Sequence, residues 1–391
     1  MARRPIDVLL LVAVLLLLLL SVYFVFTASS ARAERLHQDS MFYLKRQLIR
    51  LLLGLLLGFL MMRLDYHHLL RLSPLVYLLG VALLVALLFA PESWTIRGSQ
   101  RWFLIGPLQF QPSELAKYGL ILYLAMNLAK PQLDIRQLGD GLMPQLLLAG
   151  VVVVAVALEP DMGTALIIAA TVAAMLFLAG ARWSHLFALF SSMVLAGLAF
   201  TARVAYQRGR IEAFVESLLG NAEPSWQVKQ SLIGLGTGGL LGVGLGQSKQ
   251  KLLFLPDPYT DFILAIIGEE LGLLGTLTVV LLFLVILWRG FSIARQAPDN
   301  AGRLVAFGIT CTLGLGAFVN MSVVTNLLPT TGIPLPFVSY GGTALIMNLI
   351  GVGILLNIST QGSGTSRPGR GLAKIPLARV QWYRDRKQSD G

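Results

Sequence analysis

The segment of residues 251–272, KLLFLPDPYTDFILAIIGEELG, places three carboxylates at the head of an otherwise apolar predicted helix. Asp261 follows LPDPYT and precedes about two helical turns without another charge. A carboxylate at a helix start and at the rim of a cavity can act as a general base on a sugar or lipid headgroup, or it can simply cap the helix. Glu269 and Glu270 follow deeper in the helix, and at least one of them needs a polar partner such as Lys117, an outer arginine or water.

Two further sets of ionisable residues stand in or beside apolar runs. Glu114 and Lys117 lie three residues apart on one predicted helix face, so they either neutralise each other or line a site together. Glu159 and Asp161 flank a proline in a short outer turn, which predicts that both carboxylates sit at the membrane surface. The following Met-Gly-Thr favours Asp161 as the N-cap of the next helix.

The composition indicates what must position these residues. Of 391 residues, 55% are hydrophobic and 13% are charged, and the mean hydropathy is +0.72, which is typical of a polytopic membrane protein. The single cysteine, Cys311, excludes an intramolecular disulfide and a cysteine-based metal site, and the four histidines lack metal-binding spacing. The net charge of +11 is scattered over connecting segments, so it indicates membrane topology instead of nucleic-acid binding.

Apolar runs of roughly 18 residues predict ten membrane-spanning helices in an all-α fold. The predicted spans cover residues of about 8–26, 47–65, 74–90, 113–129, 142–158, 162–180, 185–203, 261–288, 303–323 and 336–359. An even number places both termini on one side. The tail 361–391 is rich in lysine and arginine, so the positive-inside rule predicts that both termini are cytoplasmic.

Three long connections then face the outer side. The largest, 204–260 between spans seven and eight, is too hydrophobic and glycine-rich for a flexible linker, which predicts an ordered extracytoplasmic cap. Residues 91–112 form the second. The third, 326–336, contains three prolines and leads into SYGG, a pattern expected of irregular backbone that lines a cavity.

The stretch GLGTGGLLGVGLG, residues 234–246, contains a formal GxGxxG. A dinucleotide site needs a preceding strand and a βαβ unit, and neither is predicted here, so the glycines indicate close backbone packing instead. Gly54 and Gly58, like Gly268 and Gly272, have the four-residue spacing of small residues that lets helices pack closely, here within one chain.

Taken together, these segments resemble the SEDS family (shape, elongation, division and sporulation), the RodA, FtsW and SpoVE group of bacterial peptidoglycan glycosyltransferases. The resemblance covers residues of about 7–360 and rests on long blocks in family order: RGSQRWFLIGPLQFQPSELAK, EPDMGTAL, YQRGRIEAF, the run from QVKQSL to GEELG, and NLLPTTGIPLPFVSYGGT. The stretches KRQL, RLDYHHL and NMSVVT are more similar to the FtsW branch than to RodA.

The resemblance implies that residues 1–360 form a ten-helix glycosyltransferase domain at the bacterial cytoplasmic membrane. Its implied reaction polymerises lipid II at the outer face, where the 4-hydroxyl of one disaccharide attacks the anomeric carbon of another and undecaprenyl pyrophosphate leaves. Asp261 falls on the family's essential acidic position and would be the general base. The implied substrate-binding residues are Arg97, Arg101, Trp102, Glu114, Lys117, Arg208, Arg210, Gln230, Lys251 and Ser339.

Three positions depart from the family pattern. Asp257 and Tyr259 stand where many relatives have glutamate and histidine, and Leu253 replaces an acid that FtsW-like relatives often carry, so no second carboxylate role is expected at residue 253. The family implies a class B penicillin-binding protein as partner, together with membrane lipids. A divalent cation, Mg or Mn, can assist with the pyrophosphate, although the sequence shows no ligand cluster for it and no cofactor is certain.

Two other hypotheses remain open at this stage. A lipid II flippase would suit the membrane-embedded carboxylates and the broken segment near SYGG. Every long irregular segment is predicted on the outer side, however, whereas alternating access needs gates on both sides. A scaffold of a division or elongation complex would tolerate conservative changes at Asp261.

Overall fold

The computed structural model describes residues 5–91, 94, 101–105, 108–189, 191–192, 197 and 205–361, and this part of the chain is a helical bundle with one short hairpin. The helices are α1 (Val8–His37), α2 (Phe42–Arg63), α3 (Tyr66–Leu88), α4 (Pro112–Leu128), α5 (Met143–Leu158), α6 (Met162–Leu178), α7 (Ala205–Leu218), α8 (Trp226–Gly238), α9 (Ile263–Gln296), α10 (Asn300–Val324) and α11 (Gly342–Thr360). Residues 183–189 are also helical, and π-helical turns cover Leu138–Leu142 and Gln250–Phe254. Strands β1 (Phe103–Ile105) and β2 (Leu108–Phe110) pair antiparallel.

The described helices confirm a polytopic membrane protein. Six are long and apolar enough to cross a membrane: α1, α3, the stretch Leu138–Leu158, α9, α10 and α11. The shorter α6 is also apolar. Most of the predicted seventh span, 185–203, lies outside the described residues, so the count of ten spans stays a prediction.

Helix ends differ from the predicted spans where polar residues continue a helix. The first span was predicted to end near residue 26, but α1 runs on through TASSARAERLH to His37. Alanine, arginine and glutamate are good helix formers, so the helix outlasts the hydrophobic stretch. It ends at Gln38, which adopts a left-handed conformation with φ of 54°.

Polar contacts join helix termini at one end of the bundle. Arg289, near the end of α9, pairs with Asp7 at the start of α1, with 2.6 Å between Nη2 and Oδ2. Asp299, the N-cap of α10, accepts a hydrogen bond from the Tyr66 hydroxyl at 2.8 Å. The backbone N–H of Tyr66 donates to Asn357 of α11 at 3.1 Å. The start of α1 and the end of α11 therefore lie at the same end, as an even number of spans requires.

Glycines let α2 and α11 pack backbone against backbone. A Cβ atom at Gly54 would lie 2.6 Å from Cδ1 of Leu349, and one at Gly58 would lie 2.7 Å from the Leu349 carbonyl oxygen. Gly353 of α11 in turn faces the Gly58 carbonyl. The small-residue spacing in α2 therefore serves packing within this chain, as predicted, and it fixes which face of α2 turns inward.

The glycine-rich stretch packs against a break in α9. Gly272 has φ of 68° and ψ of −160°, so it interrupts the helix. The freed Leu273 N–H donates to the Gly239 carbonyl at 2.9 Å. Gly242, with φ of +82°, lies so close to the Glu270 carbonyl that no side chain fits there. The predicted close backbone packing is confirmed, and it restores hydrogen bonds that the break in α9 would otherwise leave unmade.

We expect Gly58→Ala to destabilise the protein, because the new methyl group can be accommodated only if α2 and α11 move apart. The midpoint of thermal unfolding in detergent should fall by about 2 °C or more. Gly150→Ala on α5 is the matched control, since a Cβ atom there meets nothing within 4 Å, and alanine is the better helix former. Equal shifts for the two variants would show that the α2–α11 contact is not tightly packed.

Candidate active site

A cavity of about 590 Å³ lies between α2, α4, α6, the hairpin and the irregular segments before α9 and α11. Basic and aromatic side chains dominate its polar lining, which suits a phosphate-bearing substrate with sugar rings. Its described lining includes six basic residues (Arg32, Arg46, Arg50, Arg101, Lys117, Arg210), four carboxylates (Glu114, Asp161, Asp257, Asp261) and five aromatic residues (Phe42, Tyr43, Trp102, Tyr259, Tyr340).

Asp261 lies in this cavity, two residues before α9 begins. The N-cap position of α9 is Phe262, the residue that follows Asp261. Its backbone carbonyl accepts a hydrogen bond from Nδ2 of Asn320 at 2.7 Å, and the same nitrogen donates to the Ile333 carbonyl at 2.8 Å. A buried amide of α10 thus ties the Asp261 segment to the irregular segment before α11.

The carboxylate of Asp261 and the guanidinium of Arg101 converge on Gly332. A Cβ atom at Gly332 would lie 3.8 Å from Oδ2 of Asp261 and 3.6 Å from Nη1 of Arg101. Gly332 has φ of +77°, a conformation that side chains disfavour. Glycine therefore keeps open the space where a base and a cation can meet one substrate.

Arg101 is held by the turn between α5 and α6. Its Nη2 donates to the Pro160 carbonyl at 2.5 Å, and its Nη1 lies 3.6 Å from Oδ1 of Asp161. The same Asp161 oxygen accepts from the Thr164 N–H at 3.2 Å, which confirms the predicted N-cap of α6. Gln111 donates to the other Asp161 oxygen at 3.2 Å. The N-cap residue Asp161 therefore also positions the Arg101 guanidinium in the cavity.

Three more of the predicted binding residues reach the cavity. Glu114 and Lys117 form a buried ion pair at 2.8 Å that also lines the cavity. They therefore neutralise each other and line the cavity as well, the two roles that the sequence left open. Trp102 enters from the segment before β1 and lies against Gly342, where a Cβ atom would be 3.5 Å from Cζ3. Arg210 of α7 lines the cavity, and its Nη1 donates to the Thr330 carbonyl at 3.0 Å.

Lys251, one of the predicted binding residues, is not among the described residues that line the cavity. Its ammonium lies 2.9 Å from Oε1 of Glu270 and 2.6 Å from the Gly246 carbonyl oxygen. Glu269 binds the same turn by accepting from the Lys249 N–H at 2.9 Å. The two deep glutamates therefore anchor the turn that precedes the Asp261 segment, and Lys251 completes that anchor. The protein partners of both glutamates that the structure describes lie in this turn.

Other predicted binding residues also lie away from this cavity. Arg208 is exposed on α7 and pairs with Glu212 at 2.5 Å. Gln230 is buried on α8, which packs against α9. Ser339 is buried and its hydroxyl oxygen accepts from the Leu335 N–H at 2.9 Å, so it stabilises its own turn. Arg97 lies outside the described residues.

The sequence motifs did not single out the basic residues of α1 and α2. Arg32 pairs with Asp257 at 2.9 Å, so the acid that departs from the family pattern is engaged in an ion pair. Arg46 and Arg50 both reach the cavity from α2. Two arginines four residues apart in an apolar helix are a signal for a shared polar face. Hydropathy alone placed Arg46 at a helix end and Arg50 within a span.

The sequence profile of the family described as cell cycle protein, covering FtsW, RodA and SpoVE, matches residues 7–364. The chain belongs to this family. It is 40% identical over 362 residues to the probable peptidoglycan glycosyltransferase FtsW of Geobacter sp. (strain M18), covering 92% of this chain and 98% of the relative. It is 39% identical to stage V sporulation protein E of Bacillus subtilis (strain 168), covering 90% and 96%. The FtsW-like branch is supported.

Solved structures share the fold. A chain of a peptidoglycan synthase complex, described for its structural coordination of polymerization and crosslinking, matches with a TM-score of 0.73 and 32% identity, covering 90% of this chain and 97% of that chain. The rod shape determining protein RodA of Thermus thermophilus matches with a TM-score of 0.68 and 30% identity, covering 92% and 98%. These matches agree with the helical architecture described above.

Glu159 is a buried carboxyl beside the site. Its side chain is 1% exposed, and neither oxygen has a hydrogen-bond partner in the described part of the chain. Burial and the negative charge of Asp161 raise the pKa of Glu159 from 4.5 to about 9, against the lowering effect of Arg101. Glu159 is therefore neutral at pH 7 in the folded protein, which leaves Asp161 as the carboxylate that pairs with Arg101.

We expect Glu159→Gln to stabilise the protein above about pH 5, and increasingly so up to about pH 9. The folded wild type keeps this proton up to about pH 9, whereas the unfolded chain releases it near 4.5, so wild-type stability falls across that window. Glutamine keeps the neutral shape at every pH. Thermal unfolding midpoints at pH 6, 7, 8 and 9 test this, with the exposed Glu223→Gln as control; parallel pH profiles for wild type and Glu159→Gln would contradict it.

Proposed function

We propose that this protein is a peptidoglycan glycosyltransferase that polymerises lipid II into glycan strands. The observation that carries the proposal is the convergence of Asp261 and Arg101 on the open space at Gly332, in a cavity rich in basic residues. Relatives that share about 40% of the sequence over nearly their whole length are named probable peptidoglycan glycosyltransferase FtsW, which supports a role in cell division.

The proposed reaction uses Asp261 as general base. Its carboxylate takes the proton of the acceptor 4-hydroxyl while that oxygen bonds to the anomeric carbon of the donor. The bond between that carbon and the pyrophosphate oxygen breaks, and the electron pair leaves with undecaprenyl pyrophosphate. Arg101 borders the same space at Gly332, where its positive charge stabilises the leaving diphosphate. The bound proton then passes from Asp261 to water.

We further propose ten membrane spans with both termini in the cytoplasm, the segment 204–260 as an extracytoplasmic cap and 361–391 as a cytoplasmic tail. The basic tail and the ion pair that joins the start of α1 to the end of α9 support one common side for the termini. The cavity lies at the other end of the bundle, and on this topology the proposed reaction takes place at the outer face of the cytoplasmic membrane.

The partner and cofactor proposals have different support. A class B penicillin-binding protein is the proposed partner, because the structurally similar chain belongs to a synthase complex that couples polymerization to crosslinking. In the described residues no group of three or more histidine, cysteine, aspartate or glutamate side chains is placed to hold a metal ion. A divalent cation bound to the substrate diphosphate therefore stays a prediction.

A lipid II flippase is the second candidate, favoured by the buried Glu114–Lys117 pair that lines a cavity inside the bundle. A transporter would have to pass lipid II without forming a glycosidic bond. Polymerisation and flipping can be measured on the same purified protein, so the two functions are separable.

We expect Asp261→Asn to abolish glycan polymerisation, with a loss of about 100-fold or more, because an amide cannot accept the proton. Purified protein, with a class B penicillin-binding protein, is supplied with lipid II in detergent and the glycan products are resolved by length. Asp134→Asn, on an exposed loop, is the control and should keep wild-type activity. Full polymerisation by a folded Asp261→Asn protein would show that Asp261 is not the general base. If the wild-type protein flips lipid II in liposomes but forms no glycan, the transporter function is favoured instead.

Arg101→Gln and Arg208→Gln should differ, although the sequence proposed both residues for substrate binding. Arg101 faces the space beside Asp261, so its loss should lower kcat/KM for lipid II by about tenfold or more. Arg208 is exposed and pairs with Glu212, so its loss should change kcat/KM by less than about twofold. The same polymerisation assay measures both, and equal losses would place the leaving-group site elsewhere.

A further inference from the structure

Arg46 and Arg50 present two cations from one face of α2 to the cavity. They are four residues apart and so lie about one turn apart on the helix. Each guanidinium lies over an aromatic ring: Arg46 Cζ is 4.2 Å from the centroid of Phe42, and Arg50 Cζ is 4.7 Å from that of Tyr340. The aromatic contacts orient both groups without neutralising them.

Among the described residues, these two cations lack the carboxylate partners that Arg32, Arg101 and Lys117 have. Neither guanidinium has a carboxylate oxygen within 4.0 Å in the part of the chain described, and Nη1 of Arg50 is buried without a hydrogen-bond partner there. The compensated cations are found in the pairs Arg32–Asp257, Arg101–Asp161 and Lys117–Glu114. The α2 pair is therefore a local excess of positive charge inside a membrane protein.

The packing of α2 prevents the pair from turning toward lipid headgroups. Gln47, between the two arginines, is fully buried and donates to the Ser21 hydroxyl at 3.0 Å and to the Ser339 carbonyl at 3.4 Å. The glycine contacts with α11 fix the same helix further along. Two like charges one turn apart repel each other, and unpaired charge within a span is costly. A bound anion would relieve both costs.

We propose that Arg46 and Arg50 form a second diphosphate subsite, which binds the diphosphate of the acceptor substrate. This proposal rests on the proposed function. The reaction joins two lipid-linked sugars, and each carries its own diphosphate. The acceptor attacks through the 4-hydroxyl at one end of its disaccharide, while its diphosphate is attached at the other end, so it cannot share the cations that hold the leaving diphosphate beside Asp261.

The connectivity of the site agrees with this arrangement. The Tyr340 N–H donates to the Tyr259 carbonyl at 2.9 Å, two residues before Asp261, so the ring under Arg50 is fixed relative to the base. Arginine binds phosphate oxygens through two parallel hydrogen bonds, and two arginines one turn apart can each engage one phosphate. The cavity thus offers a leaving-group site at Arg101 and an acceptor site on α2.

The test is an elongation assay that separates the two substrates. The donor is a fluorescent lipid-linked tetrasaccharide whose terminal 4-hydroxyl is blocked, so it can only donate, and lipid II is the acceptor. We expect the double variant Arg46→Gln with Arg50→Gln to raise KM for lipid II by about tenfold or more and to leave KM for the blocked donor within about twofold. Unchanged KM for lipid II, or a rise in KM for the donor instead, would overturn the assignment.

The control removes the same charge from the same helix. Lys45 is 61% exposed and pairs with Asp39, and Arg63 is exposed at the other end of α2. The double variant Lys45→Gln with Arg63→Gln should keep both KM values. An equal rise in KM for lipid II in this control would show a general loss of electrostatic attraction and would contradict a specific subsite.

A binding measurement separates this proposal from the proposed function. In nanodiscs of neutral phosphatidylcholine, the wild-type chain should bind two undecaprenyl pyrophosphate molecules and the Arg46→Gln, Arg50→Gln variant one, whether or not glycan is formed. Equal stoichiometry for the two proteins would overturn the subsite even if polymerisation is robust. Displacement of the second molecule by an equal amount of phosphatidylglycerol would identify a phospholipid site and would also overturn it.

Discussion

Compensation of charge within an apolar bundle governs how this protein positions its site. Glu269 and Glu270 are buried in α9, and they are satisfied by backbone N–H groups of the 246–250 turn and by the ammonium of Lys251. Unpaired, either carboxylate would be too costly to keep in this environment. The turn is therefore held against α9 just below Asp261, and the break at Gly272 lets the glycine-rich stretch share that contact.

The same rule explains how the cavity retains so much charge. Arg101, Lys117 and Arg32 each have a carboxylate partner, so their positive charges are compensated within the protein. Burial keeps Glu159 neutral, which avoids a second negative charge beside Asp161. The arginines of α2 depart from this pattern among the described residues, and in our proposal the acceptor diphosphate compensates their charge.

The sequence predicted the membrane class and most helix positions, because hydropathy is a local property of the chain, and it selected Asp261 as the candidate base through the family blocks. It also predicted the Glu114–Lys117 pair, whose spacing within one helix sets the geometry. Lys251 and the α2 arginines were assigned differently, because their roles depend on partners far away in sequence: Lys251 meets Glu270 across a folded turn, and Arg50 meets Tyr340 from another helix. Spacing along a chain does not encode such contacts. Similarly, the sequence does not distinguish Arg208 from Arg210, because their surroundings depend on the position of α7 in the fold. In the structure Arg208 is exposed and Arg210 lines the cavity.

The central claim is that acceptor and donor meet between Asp261 and Arg101. The most direct test is a structure of the full-length Asp261→Asn protein in lipid nanodiscs with lipid II bound. We expect an acceptor 4-hydroxyl within about 3.2 Å of the residue 261 side chain, with the donor diphosphate beside Arg101. Lipid II bound with both sugar and diphosphate outside this cavity would contradict it.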